Sequence, residues 1–107
     1  MRRGDLVTIA TSGDYGKPRP ALIVQADAYA EHPSLTVLPL TSELHDVPLL
    51  RVTVEPGEST GLRLRSQVMV DKATTIPRAK AGHQIGRVDE ATLASVSRAL
   101  AGFLGLG

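Results

Sequence analysis

The sequence predicts a mainly β protein, an antiparallel barrel or roll closed by one C-terminal α-helix. Short apolar stretches recur between closely spaced turn signals, which is the pattern of an antiparallel β fold. Only the region from Asp89 onward spaces its apolar residues as a helix does. With 107 residues and 42% hydrophobic content, the chain has room for one domain over 1–107 and can bury a core sufficient to fold alone.

The first expected strand, Leu6 to Ala10, is ended by Thr11-Ser12-Gly13-Asp14, residue types that favour turns, and the loop continues to Arg19. Ala21 to Val24 is apolar without alternation, as suits a central strand buried on both faces. Asp27 to Glu31 reads as one irregular turn. Leu35 to Leu40 follows as a strand whose internal Pro39 places it at an edge or a bulge, because proline donates no ladder hydrogen bond. Thr41 to Asp46 is a polar loop.

Leu50, Val52 and Val54 alternate with Arg51 and Thr53, the period of a strand wet on one side, and a Pro56-Gly57 turn comes next. Ser66 to Val70 is another strand, with Val68 and Val70 on one face and Gln67, Met69 and Asp71 on the other. After Thr74 to Pro77 and a short basic turn, Gln84 to Val88 makes a last small strand. Asp89 then suits a helix N-cap, Glu90 the positive end of the dipole, Leu93, Val96, Leu100 and Phe103 one helical face, and Gly105 the stop.

Composition narrows the function. Aromatic residues are 3% of the chain, too few for a surface that binds single strands by stacking. The formal net charge is only +1, yet Ser59 to Val88 holds Arg63, Arg65, Lys72, Arg78, Lys80 and Arg87 against Asp71 alone, about +5. That asymmetry permits a basic face for a polyanion, or simply a solvated face. Cysteine is absent, which excludes disulfides and thiolate metal sites. Met-Arg-Arg leads into Gly-Asp rather than an apolar segment, and no apolar run is long enough to span a membrane, so a cytoplasmic protein with no membrane partner is expected.

His32, His45 and His83 are scattered over loops without metal-ligand spacing, and no serine lies in a nucleophile elbow. The glycines do not form a phosphate loop before a helix, so neither a metal nor a nucleotide cofactor is expected. Arg19, Thr41, Ser42 and Asp71 remain. In Lys17-Pro18-Arg19-Pro20 each cation precedes a proline and is held extended, so Arg19 is fixed where the second strand begins. A planar, forked, permanently charged guanidinium suits phosphate oxygens. An ion pair of Arg19 with Asp5 or Asp71, and a turn-capping role for Thr41, explain the same residues equally well.

The sequence resembles the MazF/PemK-type toxins of type II toxin–antitoxin systems. The likeness runs through Arg3-Gly4-Asp5-Leu6-Val7, Arg19-Pro20-Ala21-Leu22-Ile23-Val24, Pro39-Leu40-Thr41-Ser42, Gly61-Leu62, Ser66-Gln67-Val68-Met69-Val70-Asp71-Lys72, Thr75-Ile76 and Ile85-Gly86-Arg87, in the family's order over nearly the whole chain. It implies a small, strongly bent, SH3-like barrel with a C-terminal helix, forming a homodimer. It also implies metal-independent endoribonuclease activity on single-stranded mRNA and neutralisation by an acidic, partly disordered cognate antitoxin.

By the same resemblance Arg19 and Thr41 are catalytic, and Asp71 lies at the site as the candidate base. RNA contacts are expected from Lys17, Ser42, Ser66, Gln67, Lys72 and Arg78. Met69 stands where some members carry an arginine, and Asp14 roughly where some relatives carry a loop histidine. The Asp14-Tyr15-Gly16-Lys17 loop, where family members contact RNA and antitoxin, is shorter than usual. Two rival classes are a CcdB-type toxin that poisons gyrase by protein contact and a catalytically silent binding barrel. The former relies on a C-terminal tryptophan, and this chain has none.

Overall fold

In the computed structural model, residues 1–10 and 17–107 are described; the expected turn at 11–14 and the shortened loop up to Gly16 lie outside them. The strands are β1 (Asp5–Ala10), β2 (Pro18–Ile23), β3 (Ser34–Thr41), β4 (Arg51–Val54), β5 (Ser66–Met69), β6 (Thr74–Pro77) and β7 (Ala81–Arg87), followed by helix α1 (Glu90–Phe103). They form one antiparallel sheet in the order β4-β5-β3-β2-β1-β7, with β6 pairing the first half of β3. The result is a small, strongly bent open barrel with a C-terminal helix.

β2 is the central strand its composition requires. Ala21, Leu22 and Ile23 are all buried, between β1 on one edge and β3 on the other. Because successive side chains point to opposite faces, β2 feeds two cores. Leu22 joins Leu6, Leu38, Val68 and Val70 beneath Leu93 and Val96 of α1, whereas Ala21 and Ile23 join Val7, Ile9, Leu35 and Val37 on the other face. Each fully buried branched side chain contributes on the order of 2 kcal/mol through burial.

β3 differs from expectation: it is an interior strand, paired with β2 on one edge and with β6 and then β5 on the other. Val24 N–H donates to Thr36 O, so even-numbered residues of β3 face β2 and Pro39 faces the opposite edge. On that edge β6 pairing ends at Val37 and β5 pairing begins at Leu40. The missing donor therefore falls in the interval between two partners. Thr74–Pro77, read only as a connection, is the strand β6, and Asp71 lies in a 3-10 turn over Val70–Lys72 instead of at the end of β5.

Among the described residues β4 and β7, the two ends of the sheet, are not paired, and the 55–65 segment bridges them. Arg87 N–H donates to Ser59 O at 2.8 Å. The approach is close enough that a Cβ on Gly86 would collide with the Ser59 and Thr60 carbonyls, and one on Gly61, at φ +71, with the Ile85 carbonyl. Asp89 caps α1 as expected, its carboxylate accepting from Thr92 N–H at 2.7 Å. Leu93 and Val96 are buried, whereas Phe103, one turn past the core, is half-exposed.

Candidate active site

The stretch Pro18-Arg19-Pro20 pairs with Ala10, Ile9 and Thr8 of β1, while β3 joins β2 only from Ala21. Among the described residues the far edge of this stretch is thus unpaired. Ile23 O accepts from Gly4 N–H on the β1 side and Val24 donates on the β3 side, so the alternation puts both proline nitrogens on the open edge. Arg19, between them, is part of the strand rather than of the preceding loop.

Two cavities meet at this place. The larger, about 690 Å³, is lined by Arg19, Leu40, Thr41, Ser42, Glu43, Met69, Lys72 and Thr74 among others. The smaller, about 510 Å³, is walled by Thr8, Pro18, Pro20, Arg63, Leu64 and Ser66, and it shares Arg19, Leu40, Thr41 and Ser42 with the first. The fold therefore brings Arg19 and Thr41, 22 positions apart in sequence, onto one wall between two hollows. They come together because β2 and β3 are neighbours, with Ala21 opposite Pro39.

Thr41 ends β3, and its Oγ1 accepts from Glu43 N–H at 3.1 Å, closing a turn whose residues line the larger cavity. The loop is anchored again two residues on. Gln67, 8% exposed, accepts from His45 N–H at 2.9 Å and donates to His45 O at 3.0 Å. Gln67 thus acts on the loop beside the cavity. Ser66 reaches the smaller cavity, although its hydroxyl donates to Leu64 O.

Asp71 takes a partner that sequence reasoning missed. Arg51 lies directly across β4–β5 from Met69, and its guanidinium donates to Asp71 Oδ1 at 2.6 Å, both side chains being about four-fifths buried. The hydrogen bond from Arg51, reinforced by the charges of Arg51 and Lys72, holds the Asp71 carboxyl below the ordinary aspartate value against the opposing effect of burial. Lys72 Nζ stands 3.5 Å from the other carboxylate oxygen and lines the larger cavity, so the Asp71 anion fixes a cation at its wall. Asp71 itself is not among the described residues lining either cavity.

Asp5, the other carboxylate considered for Arg19, bonds to Arg87 at 2.7 Å and to Arg2 N–H. Arg78 is placed elsewhere, donating to His32 O and Ala30 O, and Lys17 is exposed just before β2. Among the described residues no three His, Asp or Glu side chains gather to hold a metal ion, and no helix is long and apolar enough to cross a membrane. Arg51 was hidden because alternation assigned it to solvent. Glu43 was hidden in a polar loop, where the adjoining Thr41-Ser42 was the only signal.

Together these features define a small bent β-barrel whose cleft is lined by cations and hydroxyls. The chain belongs to the PemK-like, MazF-like toxin family of type II toxin–antitoxin systems, whose model matches residues 2–104. It is 48% identical over 107 residues to a probable endoribonuclease MazF from Mycolicibacterium smegmatis, covering 99% of this chain and 98% of that protein. Among solved structures it is similar to a mycobacterial endoribonuclease in complex with its cognate antitoxin. That match has 28% identity and a TM-score of 0.81, over 100% of this chain and 97% of the other. The Mycobacterium tuberculosis toxin MazF-mt6 matches with 27% identity and a TM-score of 0.79, over 95% and 98% of the two chains.

Proposed function

We propose that this protein is an endoribonuclease toxin that cleaves single-stranded mRNA without a metal, by attack of the 2′-hydroxyl on the adjacent phosphorus. The products are a 2′,3′-cyclic phosphate and a 5′-hydroxyl end. The observation that carries this reading is the shared wall of Arg19 and Thr41 between two cavities, where a phosphodiester can sit with a nucleotide on either side. The mycobacterial relatives are named as endoribonucleases, which supports the reaction class.

Each residue has a physical task. Internal attack needs the 2′-oxygen in line with the departing 5′-oxygen, a base for the proton, and compensation of the charge growing on the non-bridging oxygens. The Arg19 guanidinium neutralises that charge and donates hydrogen bonds that help the leaving oxygen depart. Thr41 holds a phosphate oxygen through its hydroxyl. Lys72, braced by Asp71 and Arg51, adds a second cation, and Ser42 a further donor. Asp71 enters as the anion that fixes Lys72; its bond to Arg51 disfavours it as the proton acceptor.

The protein works as a cytoplasmic homodimer, neutralised by an acidic segment of a cognate antitoxin that covers the cationic cleft. Incubation with a long mixed-sequence RNA in excess EDTA is expected to give discrete fragments with cyclic phosphate ends, leave the corresponding DNA intact, and lose all cleavage in a folded Arg19→Ala variant. RNA left intact by the wild-type protein would refute the reading.

A further inference from the structure

We propose that Glu43 is the general base of the reaction. This rests on the ribonuclease reading and assigns the proton acceptor within the same site. Among the described residues Glu43 is the only acidic residue that lines either cavity, and it shares the larger one with Arg19, Thr41 and Lys72. Asp71, the other acid nearby, is committed to Arg51 at 2.6 Å.

Position supports the assignment as much as elimination does. The loop carrying Glu43 is tied down on both sides of it, by its own N–H donating to Thr41 Oγ1 and by the pair of bonds between Gln67 and the His45 backbone. The backbone is therefore fixed to β3 and β5, while the side chain, 82% exposed, remains able to reach into the cleft. Tethering to Thr41 places the Glu43 backbone two residues from the one that holds the phosphate, so the 2′-hydroxyl must come within reach of its side chain.

Among the described residues the charged and titratable groups around it come from three elements: Arg19 of β2, Lys72 of the turn after β5, and His45 of its own loop, whose Nε2 is 3.7 Å from Oε1. In the step, the 2′-hydroxyl proton passes to the Glu43 carboxylate as the 2′-oxygen bonds to phosphorus. The bond from phosphorus to the 5′-oxygen breaks with its electron pair, and that oxygen takes a proton from water while the Arg19 guanidinium, still charged, offsets the negative charge. Glu43 then passes its proton, directly or through His45, to the hydroxide this leaves, which closes the proton balance.

The test is steady-state cleavage of a short RNA containing one mapped site by the full-length protein and by Glu43→Gln, Glu43→Asp and Arg19→Ala variants, each checked for native circular dichroism. The expected result for Glu43→Gln is a fall in kcat of about a hundredfold or more with KM unchanged or lower, and partial recovery in Glu43→Asp. A second substrate carries sulfur in place of the 5′-oxygen, so that its leaving group needs no proton; the same deficit is expected there, because the base acts on the other side of the phosphorus. A bystander anion at the rim would give the opposite split, a lower KM with kcat intact, and that result overturns the proposal. So does full recovery on the sulfur substrate, which would make Glu43 the acid. Wild-type protein that cleaves neither substrate overturns the ribonuclease reading and the assignment with it, whereas an active wild type with an equally active Glu43→Gln overturns the assignment alone.

Discussion

Replacing Arg51 by methionine removes the guanidinium that holds Asp71 and retains much of the unbranched stem. Breaking a fully buried ion pair from one side costs about 3 to 5 kcal/mol, and an exposed pair is worth about 0 to 1 kcal/mol. The Arg51 and Asp71 side chains are 15% and 20% exposed, which places the pair nearer the buried limit. Against this, Arg51 Nε is buried without a hydrogen-bond partner, so removing the arginine also relieves an unsatisfied donor. The expected net loss is about 2 kcal/mol, or roughly 8 °C in Tm for a domain of this size.

With no tryptophan and two tyrosines, urea unfolding is best followed by far-ultraviolet circular dichroism. The pH dependence supplies the sharper criterion. The folded-state pKa of Asp71 is depressed, so the pair stabilises fully above the ordinary aspartate value of 3.8 and is lost as pH falls through the lower folded value. The gap between wild type and Arg51→Met should be widest at neutral pH and shrink towards pH 3. A gap of the same size at both would show that only packing of the stem had been lost, and would refute the electrostatic account.

Two further outcomes test the frame around the site. Gly86→Ala should destabilise by about 1 to 3 kcal/mol, since its methyl group must push back the Ser59 and Thr60 carbonyls; faster hydrogen exchange at the Arg87 amide, which donates to Ser59, reports that retreat. Asp89→Ala should lower the thermal midpoint modestly at neutral pH by freeing the Thr92 amide. The hydrogen bonds from Thr92 hold the Asp89 carboxyl below 3.8, so the difference from wild type should disappear as pH falls below that value.

How far the sequence could be read depended on which physical signal each part carried. β2 and α1 were legible because burial on two faces and helical spacing leave local patterns, in Ala21 to Val24 and in Leu93 and Val96. β6 left none: Thr74 and Thr75 are exposed, Ile76 alone is partly buried, and Pro77 ends the run, so the strand exists only through its pairing with β3. Pro39 misled for a related reason, because what makes it harmless is the handover from one partner strand to another. At the site, residue types pointed to Arg19 and family likeness to Thr41 and Asp71. The partnership of Arg51 with Asp71, the clamp of Gln67 on His45 and the place of Glu43 in the cleft all follow from cross-strand register, which a single sequence does not disclose.

Pro18 and Pro20 have an effect that reaches beyond this molecule. Among the described residues β3 stands away from Arg19 and leaves a length of bare strand edge beside the hollows, and a bare edge invites any extended peptide to add itself as a further strand. With imide nitrogens at both outward positions, that edge offers carbonyls but no donors over the stretch beside Arg19. A visiting chain can therefore be held there by its charges and side chains, and not by backbone zippering. The doorway stays clear for a guest without a peptide backbone.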